Sequence, residues 1–162
     1  MNTSIALTEE VSRQIDKILS ELLERGEAEA VFLCDRGGNI ISHRSVVAYS
    51  NEENISALAA GSFFATQEMA RLLGESRFKS LLHQGEKTSI YMEGMPGDVL
   101  IIVVFSKDSN PGLVKLYVKH ACKELEPLSL ALLEPSGAGH AMKLNLEIDE
   151  NSQPFTSQAG HE

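Results

Sequence analysis

Seven consecutive apolar residues, Val-Leu-Ile-Ile-Val-Val-Phe at positions 99–105, constrain this chain more than any other feature. A run with no polar residue has no side to offer water. It is far shorter than the roughly 20 residues that cross a bilayer as a helix, and its β-branched content suits a strand. A strand apolar on both faces is central in its sheet and must be covered on both sides.

The rest of the chain supplies that cover. Thr8 as N-cap, Glu9 and Glu10 in the first turn and Gly26 as the stop predict a first helix. At the helical period Val11, Ile15, Ile18, Leu19 and Leu22 share one face, with Arg13, Asp16, Lys17, Ser20 and Glu24 opposite. Residues 30–35 and 40–45 flank Arg36-Gly37-Gly38-Asn39 and read as a hairpin. Asn51 or a nearby residue can cap a long second helix that runs to Leu73 and ends at Gly74, with a core stripe of Ile55, Leu58, Ala59, Ser62, Thr66, Met69, Ala70 and Leu73. Strands are expected around 80–83, 89–94 and 99–105, the last two joined by a turn with Pro96 and Gly97. A third helix starts at Pro111 and runs towards Leu133, with a kink or an end expected near Glu126 because Pro127 follows. Val114, Val118, Ala121, Leu125, Leu128 and Leu132 form its core side, and Lys115, Lys119 and Lys123 line the other. The order α-β-β-α-β-β-β-α predicts an α/β fold, an antiparallel five-stranded sheet with helices on both faces.

Charge narrows the possible partners. The 162 residues carry 14 Lys and Arg against 23 Asp and Glu, a net −9. Nucleic acid and anionic membranes repel such a surface, so neither is expected as a partner. From Pro135 onward the chain is rich in Gly, Ser, Asn and Gln, with too little apolar surface to order itself. The expectation is a folded domain over 1–134 and a flexible acidic tail over 135–162. No signal peptide is readable, which points to the cytoplasm.

Catalytic signatures are missing. The chain has no GxxxxGK[ST], HExxH, GxSxG or helix-opening GxGxxG. Cys34 and Cys122 lack metal-site spacing and read as buried thiols, and His43, His83 and His120 are scattered. No metal or cofactor is expected. A small hydrolase or redox protein using Cys34 or Cys122 remains the enzyme-class alternative. Opposite the predicted core stripe of the second helix lie Ala57, Ala60, Phe64, Gln67, Glu68 and Arg71. An aromatic flanked by small residues suggests a contact surface, although a single exposed Phe is common on soluble proteins.

Several stretches, in order, carry a resemblance: Val-Phe-Leu-Cys-Asp-Arg-Gly-Gly-Asn-Ile-Ile-Ser at 31–42, Leu-Ala-Ala-Gly at 58–61, Met-Ala-Arg-Leu-Leu-Gly-Glu at 69–75, His-Gln-Gly-Glu at 83–86, Ser-Ile-Tyr-Met at 89–92 and Pro-Gly-Leu-Val-Lys-Leu at 111–116. Over residues 10–133 the chain resembles the Roadblock/dynein light chain domain family, and within it the MglB-type bacterial members. The resemblance implies a homodimer whose second helices lie side by side and whose edge strands, here 80–83, join into one continuous sheet. It also implies a small Ras-like GTPase as partner in bacterial polarity or motility. The GTPase would be bound in its GTP state and stimulated by reshaping of its own active site. On that reading Ala57, Ala60, Gly61, Phe64, Gln67, Glu68 and Arg71 bind the GTPase and no residue is catalytic. The alternative is a homodimeric scaffold that binds a GTPase or motor component without changing hydrolysis. Phe63-Phe64 departs from the family's small residues. The tail segment Glu147-Ile148-Asp149-Glu150-Asn151, followed by Phe155, is similar to a C-terminal motif that touches the GTPase at a second site.

Overall fold

The computed structural model describes residues 3–133, with side chains for 8–132; the tail expected at 135–162 lies outside the described residues. Its elements are α1 (Thr3–Arg25), β1 (Ala30–Cys34), β2 (Ile40–Ser45), α2 (Glu52–Leu72), β3 (Ser80–Gln84), β4 (Thr88–Met95), β5 (Val99–Ser106) and α3 (Pro111–Leu133). The strands form one antiparallel sheet in the order β2-β1-β5-β4-β3. The apolar run is therefore the middle strand, and 80–84 is an edge, as the sequence predicts.

Period-two alternation divides the core in two. Ile101, Val103 and Phe105 of β5, with Val31 and Leu33 of β1, meet α1 and α3. Leu100, Ile102 and Val104, with Ala30, Phe32 and Cys34, meet α2. The core faces expected for α1 and α3 are in place, with Val11, Ile15, Ile18, Leu19, Leu22, Val114, Val118, Ala121 and Leu125 buried.

Three local expectations need correction. α1 begins at Thr3 rather than after Thr8, because no Gly or Pro in 3–8 stops the helix. It ends at Arg25, directly before Gly26 as expected, and the left-handed residue that follows is Glu27 (φ 53°). There the Ala28 N–H closes on the Leu23 carbonyl at 3.0 Å. Asn51 stands at the N-cap of α2 but its side chain makes no capping bond. α3 runs through Pro127 to Leu133. Lys123, whose carbonyl loses its partner to the ring, and Pro127 are both on the exposed side, where water can take that bond.

Two carboxylates fix local geometry. Ser42 donates to Asp16 Oδ1 at 2.6 Å and Arg44 pairs with Asp16 Oδ2 at 2.9 Å, tying α1 to β2. Asp35 accepts from the Asn39 side chain at 2.9 Å and from the backbone of Gly37 and Asn39, which closes the β1–β2 turn. The Ser42 hydroxyl, aided by Arg44, holds the Asp16 carboxyl below the ordinary range, and the Asn39 amide does the same for Asp35. A lowered folded-state value means stability that is complete above the unfolded value and is lost as pH falls through the folded one. Asp16→Asn/Asp35→Asn is therefore expected to flatten the decline of the thermal midpoint between about pH 5 and about pH 3. Circular dichroism melts of the variant and the parent give the two slopes, and equal slopes would deny these carboxylates that role.

Candidate functional site

Small residues set the position of α2. Ser56, Ala59, Ala60, Phe63 and Ala70 are its buried residues, and three short side chains at Ser56, Ala59 and Ala60 let its first half sit close to the sheet. Ser56 Oγ donates to the Gly38 carbonyl at 2.8 Å in the buried layer. Gly38 has φ +82°, and a Cβ there would stand 2.5 Å from the Ala57 Cα. At the other end Phe63 lies over Gly94, where an added Cβ would come within 2.9 Å of the ring.

That seating rotates the helix roughly a quarter turn from the expected stripe. Leu58, Met69 and Leu73, expected in the core, are 75%, 52% and 73% exposed, and Leu72 joins them at 76%. Ala59 and Ala70 keep their expected burial. Correspondingly, Ala60 is fully buried rather than presented to a partner. Close approach to the sheet favours the face with the smallest side chains, so the larger apolar residues are turned outward.

The other residues expected to bind a partner are separated by this rotation. Ala57 and Gly61 are exposed. Phe64 is half-buried, edge-on to Phe63 at a centroid distance of 5.4 Å, with the Arg36 guanidinium 4.7 Å above its ring. Gln67 is a structural clamp: its amide donates to the Phe78 carbonyl at 3.0 Å and accepts from the Phe78 N–H at 3.1 Å. Glu68 and Arg71 form an exposed pair at 3.0 Å. The outward surface of α2 thus has an apolar stripe of Leu58, Gly61, Ala65, Met69 and Leu72, flanked by Ala57, Phe64, Glu68 and Arg71. The sequence did contain a signal for this: Ser56, Ala59, Ala60 and Phe63 follow an i, i+3, i+4, i+7 spacing.

The remaining chemistry is quiet. Cys34 is buried and Cys122 half-buried rather than fully enclosed. Burial pushes both thiols up, Cys122 to about 12, which is the opposite of what a nucleophilic thiolate needs. Tyr91 Oη donates to Glu93 at 2.7 Å beside it. His43 pairs with Glu52 at 3.0 Å and stacks near Phe32. Among the described residues no group of three or more His, Cys, Asp or Glu could hold a metal ion, and no helix is long and apolar enough to cross a membrane.

The Roadblock/LC7 domain model matches residues 14–106. The fold is similar to that of Myxococcus xanthus MglB, with 29% identity, a TM-score of 0.71 and coverage of 78% of this chain and 95% of that one. The gliding protein MglB of Thermus thermophilus gives 30% identity and a TM-score of 0.70 over 74% of this chain and 91% of its own. An uncharacterised protein of Aquifex aeolicus is 23% identical over 133 residues, 81% of this chain and 82% of that protein.

Proposed function

The chain belongs to the Roadblock/LC7 domain family, and from that premise we propose that it is a homodimeric regulator of a small Ras-like GTPase. It binds the GTP-loaded partner and speeds hydrolysis by reshaping the partner's own active site, in a cytoplasmic polarity or motility system. The observation that carries the reading is the outward face of α2, where Leu58, Met69, Leu72 and Leu73 are exposed while the sheet-facing side is built from small residues. Such a contiguous apolar face marks an interaction surface.

The face divides by chemistry. The apolar stripe pairs with its counterpart on a second copy, and the β3 edge strand joins its equivalent to extend the sheet. The flank of Ala57, Phe64, Glu68 and Arg71 meets the GTPase, with Gly61 at its border with the stripe and Gln67 holding the neighbouring segment in place. Ala60 has no part in docking, since a long side chain there would test folding.

Single-turnover GTP hydrolysis by a cognate Ras-like GTPase, with and without this protein, tests the reading. An unchanged rate with retained binding would leave a scaffold, and absence of binding would remove the GTPase altogether. Arg71 is the basic residue on the flank, but its guanidinium is bonded to Glu68 of its own helix. Arg71→Ala is expected to leave the stimulated rate within about twofold, whereas loss of an arginine finger costs roughly 10³–10⁵.

A further inference from the structure

A cavity of about 250 Å³ opens beside the second half of α2. Its apolar lining comes from Phe63, Phe64, Phe78, Met95 and Val99. Arg36, Arg77 and Lys79 also line it, against a single acid, Asp98. In a chain of net charge −9, three cations around one apolar hollow are a local inversion of sign. Arg77 and Lys79 are exposed and form no ion pair among the described residues. Arg36 reaches Asp98 at only 3.3 Å, and both side chains are more than half exposed, so that pair is weak and open to competition.

The volume falls below the roughly 300–1,000 Å³ of small-molecule sites, and suits one or two side chains of a peptide. The charges call for an acidic one. The chain itself contains such a segment: Leu-Asn-Leu-Glu-Ile-Asp-Glu at 144–150, followed by Phe155. When extended, Leu144, Leu146 and Ile148 would fall on one side and Glu147 and Asp149 on the other. Three carboxylates, Glu147, Asp149 and Glu150, match three cations.

The path is short. Cys122, midway along α3, lies near enough to Glu93 for that carboxylate to act on its thiol, and Glu93 is opposite Ile101, two residues from the start of β5. α3 starts at Pro111, just after β5 ends at Ser106, and packs back along β5, so beyond Cys122 it runs on to Leu133 in the direction of Val99. The helix therefore ends at the same end of the sheet as the cavity. The 14 residues from there to Glu147 have a typical span of about 20 Å as a flexible chain, and tethering raises the local concentration of the segment to about the millimolar range.

We propose that this cavity is the binding site for the chain's own acidic segment 146–155, with an apolar side chain seated among Phe63, Phe64 and Phe78 and the carboxylates on Arg36, Arg77 and Lys79. The site shares Phe64 with the flank assigned to the GTPase but does not rest on that reading, and no GTPase enters its test. In ¹H–¹⁵N spectra of the full chain, Arg77→Glu/Lys79→Glu is expected to move the amides of 146–155 towards the positions they take in about 1 M salt, where screening reaches about 3 Å, and the Phe63 and Phe64 amides are expected to move alike in that variant and in Glu147→Gln/Asp149→Asn/Glu150→Gln. Reversing both partners, by adding Glu147→Lys/Asp149→Lys/Glu150→Lys to the cavity variant, returns the Phe63 and Phe64 amides to the parent's positions. Identical tail spectra for parent and cavity variant would overturn the proposal. Shifts that fade on dilution would assign the segment to a second copy and overturn the intrachain site.

Discussion

Met69→Asp/Leu72→Asp is expected to convert the protein from dimer to monomer and to abolish stimulation of the GTPase. Both side chains lie on the outward face of α2, 52% and 76% exposed. The isolated fold therefore loses little beyond the lower helix propensity of Asp, about half a kcal/mol per site. The dimer, in contrast, would have to bury four unpaired carboxylates along a two-fold seam. Each also forfeits the roughly 1.5–3 kcal/mol available from burying a large apolar side chain. Light scattering on the eluting protein reads the mass, and far-UV circular dichroism checks that the helices remain. A variant that keeps the parent's mass would place self-association on another surface. A monomer that still stimulates hydrolysis at the parent's rate would separate docking from pairing.

Gly38→Ala is the second large effect, and it is on stability. The residue has φ +82°, where an added Cβ is strained, and that Cβ would come within 2.5 Å of the Ala57 Cα and 2.9 Å of the Ala57 N. Both obstacles are backbone of a packed helix, so relief requires the hairpin and α2 to part, which also weakens the Ser56–Gly38 hydrogen bond. A cost of about 2–4 kcal/mol is expected, or roughly 10 °C in thermal midpoint for a domain of this size. Gly61→Ala is the control: nothing lies within 4 Å of its added Cβ. In mid-helix that change should stabilise by about 0.5–1 kcal/mol. Equal midpoints for the two variants would mean that the close approach of the hairpin to α2 does not carry the position of the helix.

Much of the fold was legible because its strongest signals are local. The hairpin follows from a β-rich run, a Gly-Gly turn and a second run, and in the structure Asp35 and Asn39 close that turn. α1 was legible along its core face because only one side of it is apolar. α2 was not, because it has two usable faces: one of small residues around Ala59, Ala60 and Phe63, the other of Leu58, Met69 and Leu72. Periodicity shows both and weighs the larger side chains more heavily. The cavity was illegible for a different reason. Arg36, the Arg77 and Lys79 pair, and Asp98 are far apart in sequence, and the β1–β2 turn, the α2–β3 connection and the β4–β5 turn bring them together.

By itself, then, the sequence determined the order of the elements, the central place of 99–105, the antiparallel five-stranded sheet and the family. The first three rest on hydrophobic run length and on turn chemistry within a few residues, and the family on the ordered stretches between 31 and 116 that carry the resemblance. Only the tertiary structure decided which face of α2 meets the sheet and which meets a partner. The choice depends on how closely two backbones can approach. That distance is set where Gly38 meets Ala57 and Gly94 meets Phe63, by glycines whose partners are 19 and 31 positions away.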